Sequence, residues 1–169
     1  MPNFGPKLLE ISCNPNKLYP QEIELNAAIQ LKNYIYNNWK FGDDENVNKQ
    51  MIFDDEEIIV ISQNDKNYIR NNILDGIIFE IINENTKILK QLNQSVKKII
   101  KFDFESIWYK DYTNKMYNCL NSGNIKKVYS GIILLHQVSK FYEYETDEKQ
   151  KFYNNIIIEV NKYLILIFK

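Results

Sequence analysis

Apolar residues in this chain recur at every fourth position over long stretches, and that spacing restricts the fold more than any other property of the sequence. Ile23, Ala27, Leu31, Ile35 and Trp39 form one such row, and Ile69, Ile73, Ile77 and Ile81 form another. A four-residue recurrence stacks side chains along one face of a helix, whereas a half-buried strand needs alternation at every second residue. Isoleucine-rich segments that propensity alone would assign to strands are therefore read as helices. Each row is an apolar stripe that a second helix must cover.

Seven amphipathic helices follow from this reading. The first covers about Pro6 to Cys13, is stopped by Asn14-Pro15, and looks like half of a helix pair. Pro20 opens the second, which runs to about Trp39. Ser62, with Asp65 three residues on, has the pattern of a capping box and introduces the third, in which Leu74, Ile78 and Ile82 widen the isoleucine row. The fourth spans about Thr86 to Lys101 and presents Ile88, Leu89, Leu92, Val96, Ile99 and Ile100. Asp103 and Ser106 are candidate caps for a fifth helix carrying Trp108, Tyr112, Met116, Cys119 and Leu120. Ser122-Gly123-Asn124 is a stop and restart, after which Ile125, Val128, Ile132, Leu135 and Ser139 lie on related turns of a sixth. The seventh begins near Asp147 and shows Phe152, Ile156, Val160, Tyr163, Leu164 and Ile167.

The connections group helices two with three, four with five and six with seven. The fourth and sixth start about 38 residues apart, near the period of HEAT and armadillo units. The expected fold is all-α, a HEAT/armadillo-like α–α superhelix forming a single array over residues 1–169. One insertion, Phe41 to Ile61, interrupts the period and contains Asp43-Asp44-Glu45 and Asp54-Asp55-Glu56-Glu57. It reads as an acidic surface loop, with Ile58-Ile59-Val60-Ile61 as the one place where a short strand is conceivable. The apolar last helix carries no polar capping repeat, so the chain is expected to be a fragment of a longer protein.

Composition removes several function classes. The 169 residues, 44% hydrophobic, suffice for one domain or a short stack of helices. A net charge of −1 supplies no field to hold a polyanion, so direct nucleic-acid binding is disfavoured. Cys13 and Cys119 are far apart and outside any CxxC pattern, which points to neither a disulfide framework nor zinc, and suits a reducing compartment. No leader-like start occurs and the apolar runs are too short to span a bilayer, so no membrane insertion is expected. Five glycines and no phosphate-loop, nucleophile-elbow, zinc-protease or dinucleotide pattern leave no catalytic candidates. His136, the single histidine, lies among Leu134, Leu135 and Val138 and is read as structural. Trp39 and Trp108 are read as core or corner packing. Neither an enzyme, nor a cofactor, nor a metal is expected.

The sequence order also carries a likeness. Ile23 to Trp39, with Leu31-Lys32-Asn33 at its centre, resembles the "aaxxLKNxixxxW" helix near the amino end of the importin-beta superfamily. Phe4 to Ile11 is similar to the second helix of the first repeat in the branch containing importins seven and eight. Asp65-Lys66-Asn67-Tyr68-Ile69-Arg70-Asn71-Asn72-Ile73 resembles that branch's "eDrxxIRenIveaI" helix. Ile99 to Phe104 followed by Trp108 is similar to its "IIKxDyPxxW" corner, and Gln137 to Tyr144 to its "QLvKxyEyk" stretch. Leu31, Lys32, Asn33, Trp39 and Trp108 are thus structural motif positions. Two departures stand out: Glu24 where the superfamily usually has Arg, and Glu105 where it has Pro.

This resemblance implies a segment of a nuclear transport receptor that moves between cytoplasm and nucleus and supports protein import. It implies binding to the small GTPase Ran in its GTP form, with protein cargo engaged mostly by further repeats and nucleoporins as additional partners. Carried onto matching positions, Ran contact falls on Asp65, Lys66, Ile69, Arg70 and Ile73. Joint Arg70→Glu and Ile73→Asp substitution is expected to weaken Ran-GTP binding while helix content survives. A generic HEAT-repeat interaction scaffold is the alternative, and a helical enzyme domain the more remote one.

Overall fold

The computed structural model describes residues 3–40 and 60–167, with side chains as far as Asn161. Its elements are α1 (Phe4–Ser12), α2 (Gln21–Asn38), α3 (Gln63–Ile82), α4 (Thr86–Asp103), a π-helical turn (Phe104–Trp108), α5 (Tyr109–Leu120), α6 (Ile125–Tyr142) and α7 (Asp147–Ile167). The acidic segment lies outside the described residues, as do Ile58 and Ile59 of the conceivable strand; Val60 and Ile61 belong to no strand. The side chains of Tyr163, Leu164 and Ile167 fall outside the description as well.

Packing partners define the architecture. α2 packs on α4 and α4 on α6, while α1 packs on α3, α3 on α5 and α5 on α7. Even-numbered helices therefore form one layer and odd-numbered helices the other. The layers are stitched by α1 on α2, α3 on α4, α5 on α6 and α6 on α7. Among the described residues α1 makes no substantial packing with α5, α6 or α7, so the helices form an open two-layer array rather than a closed bundle. This is the all-α, HEAT-like α–α superhelix expected from the four-residue rows together with the spacing of about 38 residues between the fourth and sixth helices.

One continuous apolar core runs between the layers. Leu31, Ile35, Ile69, Ile73, Ile77, Ile88, Leu92, Val96 and Ile99 are each fully buried within it. Gly5 marks a close approach: a Cβ there would lie 2.8 Å from Ile69 Cδ1 and 2.9 Å from a Tyr34 ring atom, so glycine lets α1 settle against α2 and α3 without displacing either side chain.

Three sequence expectations need correction. Ile23 does not join the buried stripe of α2; it is 47% exposed, and Glu24 is buried beside it. Asp103 and Ser106 do not cap α5, because the chain stays helical through the π turn, and Asp103 turns inward to other partners. On α6 the row Ile125, Val128, Ile132, Leu135 and Ser139 is not the buried one; Ser130, Gly131, Leu134, Gln137, Val138 and Tyr142 face the core. The cause is local. A Cβ at Gly131 would come within 2.8 Å of the Leu120 side chain and 3.0 Å of its backbone N, so α5 can approach α6 only over the small residues.

Candidate functional site

α3 sits in the middle of the odd layer, between α1 and α5, and its two faces have different chemistry. Its start is set by Ser62, whose Oγ accepts the Asp65 N–H at 3.2 Å. The reciprocal half of the expected capping box is absent: the Asp65 carboxylate accepts from the backbone N–H of Asn3, at 3.2 Å, at the start of α1. Asn3 adopts a left-handed conformation, φ 63°, so this bond ties an unusual backbone position to the neighbouring unit.

The inward face of α3 holds every residue that the resemblance assigns to partner contact. Ile69 and Ile73 are fully buried, and Asp65, Lys66 and Arg70 nearly so. Arg70 donates to Asp103 Oδ2 at 2.5 Å and to Asn67 Oδ1. The Trp39 indole N–H donates to the same Asp103 oxygen at 3.0 Å. The Trp39 ring also lies 5.9 Å from the Lys66 ammonium and 6.0 Å from the Arg70 guanidinium. One carboxylate at the end of α4 thus receives a cation from α3 and an N–H from the end of α2. Direct contact of these side chains with a partner would require the core to open. Among the motif positions, Leu31, Trp39 and Trp108 are buried, Lys32 is half-buried and Asn33 is exposed. The indole N–H of Trp108, unlike that of Trp39, has no hydrogen-bond partner among the described residues.

The outward face of α3 carries Tyr68, Asn71, Asn72 and Asp75, all exposed. Tyr68 donates its hydroxyl to Glu10 Oε1 of α1 at 2.9 Å, and Lys7 donates to Glu10 Oε2 at 2.8 Å. The Lys7 ammonium first and the Tyr68 hydroxyl second hold the Glu10 carboxyl below the usual range, while partial burial and Glu10 push the Tyr68 hydroxyl up. On the other side Lys115 of α5 donates to both oxygens of Asp75, at 2.7 and 2.9 Å. Polar bridges therefore cross from α1 to α3 and from α3 to α5 along one accessible surface. An open groove of about 580 Å³ lies between α1 and α3, lined by Leu9, Cys13, Tyr68, Asn72 and Phe79 among others. Burial pushes the Cys13 thiol up to about 12, which leaves it an unreactive apolar wall. Such a surface can bind; it offers no nucleophile with an adjacent base.

Sequence reasoning missed this face because its residues are ordinary polar positions between the apolar rows. The signal was available in the periodicity, since residues out of phase with Ile69, Ile73 and Ile77 must point away from the core. Among the described residues no three histidine, cysteine, aspartate or glutamate side chains gather where a metal ion could be held. No helix among them is long and apolar enough to cross a membrane.

Comparison with known proteins supplies the lineage. The family model for the importin-beta N-terminal domain matches residues 1–78. Importin-8 of Mus musculus is 31% identical over 149 residues, covering 88% of this chain and 14% of the relative. Importin-8 of Homo sapiens is also 31% identical over 149 residues, covering 88% of this chain and 13% of the relative. The chain thus spans only a small part of the length of the curated relatives it matches. No solved structure gives a significant match. The matched domain, the identity along most of the sequence and the open two-layer helical array agree, and the chain belongs to the importin-beta superfamily.

Proposed function

We propose that this segment is part of a nuclear transport receptor shuttling between cytoplasm and nucleus, and that it binds Ran in its GTP form. The observation that supports the reading best is the accessible face of α3, flanked by α1 and α5, in a chain of importin-beta lineage. In this reading Tyr68, Asn72 and Asp75 meet the GTPase. Asp65, Lys66, Ile69, Arg70 and Ile73 act from behind, holding α3 at the height and rotation that presents those groups. The function is binding and not catalysis, with protein cargo and nucleoporins engaged mainly by other repeats of the receptor. GTPase engagement then acts through differential affinity for curvature states, because each unit touches only its neighbours and small rotations accumulate.

The test is retention of purified Ran on the immobilised chain, with the GTPase loaded with either nucleotide. Retention of the GTP form alone is the expected result. Equal retention of both forms, or none, leaves a generic HEAT-repeat scaffold as the function.

A further inference from the structure

The even layer carries a second surface, independent of the GTPase reading. On α4, Lys90, Gln94, Lys97, Lys98 and Lys101 fall on one helical face, and α4 has no acidic residue before Asp103. Asp103 itself is committed to Arg70 and Trp39. Opposite that face α2 presents Lys32, Asn33, Tyr36 and Asn37, and the two helices enclose a groove of about 320 Å³ lined by these four with Gln94 and Lys97. Lys98 is held in place by aromatic rings, its ammonium 4.6 Å from the Tyr36 centroid and 5.4 Å from that of Phe102. Among the described residues none of Lys32, Lys90, Lys97, Lys98 and Lys101 meets a carboxylate.

The net charge of −1 conceals this concentration. Seven of the 22 acidic residues lie between Asp43 and Glu57, so the helices themselves carry an excess of lysine. Ammonium groups along a groove that meet no carboxylate among the described residues favour an anionic occupant. The groove floor narrows the choice. Asn33, Asn37 and Gln94 each offer a donor and an acceptor, which matches the alternating N–H and C=O groups of an extended peptide. A phosphate backbone offers only acceptors and is read best by arginine, and the chain's single arginine is buried at Arg70. We infer that the groove between α2 and α4 binds an extended acidic protein segment, its carboxylates on Lys32, Lys97 and Lys98 and its main chain on Asn33, Asn37 and Gln94.

The test is fluorescence anisotropy of the intact chain with a labelled twelve-residue peptide of alternating Glu and Gly. A Gln-for-Glu counterpart and a twelve-nucleotide oligothymidine are measured in the same buffer. The acidic peptide is expected to bind, the Gln peptide not to, and the oligonucleotide at least tenfold more weakly than the acidic peptide. Affinity for the acidic peptide is expected to fall about tenfold in K97E/K98E. A severalfold loss is expected in N33A/N37A, which keeps every charge and guards against a folding defect in the first variant. Oligonucleotide binding as tight as that of the acidic peptide would replace the proposal with a general polyanion surface. No binding of the acidic peptide, or binding unaltered in both variants, would remove it.

Discussion

Arg70 and Asp103 are 33 positions apart in the sequence, yet the guanidinium of one donates to the carboxylate of the other at 2.5 Å, with both side chains largely shielded from water. Arg70 is the only arginine in the chain. A planar guanidinium is the cation best suited to such a buried partnership, and the Trp39 indole N–H bonds to the same carboxylate oxygen. The three residues join α3, the end of α4 and the end of α2 at one point.

Breaking this pair from one side leaves a buried charge without its partner. Arg70→Met is expected to cost about 3–5 kcal/mol. The double variant Arg70→Met, Asp103→Leu is expected to cost clearly less, because neither charge is then stranded. Urea denaturation of the three proteins, followed by circular dichroism, measures both differences.

The substitution pair Arg70→Glu, Ile73→Asp acquires a different expectation from the structure. Ile73 is fully buried and Arg70 nearly so, so Ile73→Asp would set a carboxylate among apolar side chains and Arg70→Glu would set one against the Asp103 carboxylate. The variant is expected to lose more than about 4 kcal/mol and much of its helix signal at 25 °C. Retention of full helicity would contradict the burial of these positions.

Gly131 and Ile132 are adjacent on α6 and should differ in their sensitivity to substitution. Gly131→Ala drives a methyl into Leu120 and is expected to destabilise by about 1–3 kcal/mol. Ile132 is 42% exposed, and Ile132→Ser is expected to change stability by no more than about 0.5 kcal/mol. Thermal unfolding of both variants decides which face of α6 is inward.

Glu80 sets a pH dependence. It is almost fully buried, and its carboxyl is pushed up to about 7 by burial first and by the facing Glu24 second, against smaller opposing effects of Lys17 and the Asn85 hydrogen bond. A carboxyl whose folded pKa is raised stabilises the fold below its unfolded value and loses that contribution as pH rises through the folded value. Stability should therefore fall between about pH 4.5 and just above 7 on this account, by about 1–2 kcal/mol after allowance for relaxation. Glu80→Gln should flatten the fall. Glu24→Arg, which restores the residue type usual in the superfamily, should pull the Glu80 titration down and remove it as well. Denaturation midpoints at pH 5 and pH 7.5 provide the check.

The helices were legible because the four-residue recurrence is a strong signal: all seven are present, and the expected rows on α3, α4 and α5 hold the buried residues, with Ile78, Ile82 and Leu89 half-buried at their edges. Periodicity says which residues share a face without saying which way that face points. On α6, where Ile125, Tyr129 and Ile132 are apolar yet exposed, the small residues Ser130 and Gly131 decide the rotation. The interior role of Asp65, Lys66 and Arg70 was hidden for a related reason. Charges in a first helical turn ordinarily face water, and the group that draws Arg70 inward is Asp103, read from sequence as a cap. The π turn at Phe104–Trp108 has no signature in residue order.

The measurement that bears most directly on the central claim is calorimetric titration of Ran-GTP into the wild-type chain and into Tyr68→Ala, Asn72→Ala. Both altered side chains are on the exposed face of α3, so the fold should hold, with a small drop in thermal midpoint from the lost Tyr68–Glu10 hydrogen bond. An affinity loss of at least about tenfold is expected in that variant, with binding confined to the GTP form. Unchanged affinity in the variant, or equal binding of Ran-GDP, would contradict the claim.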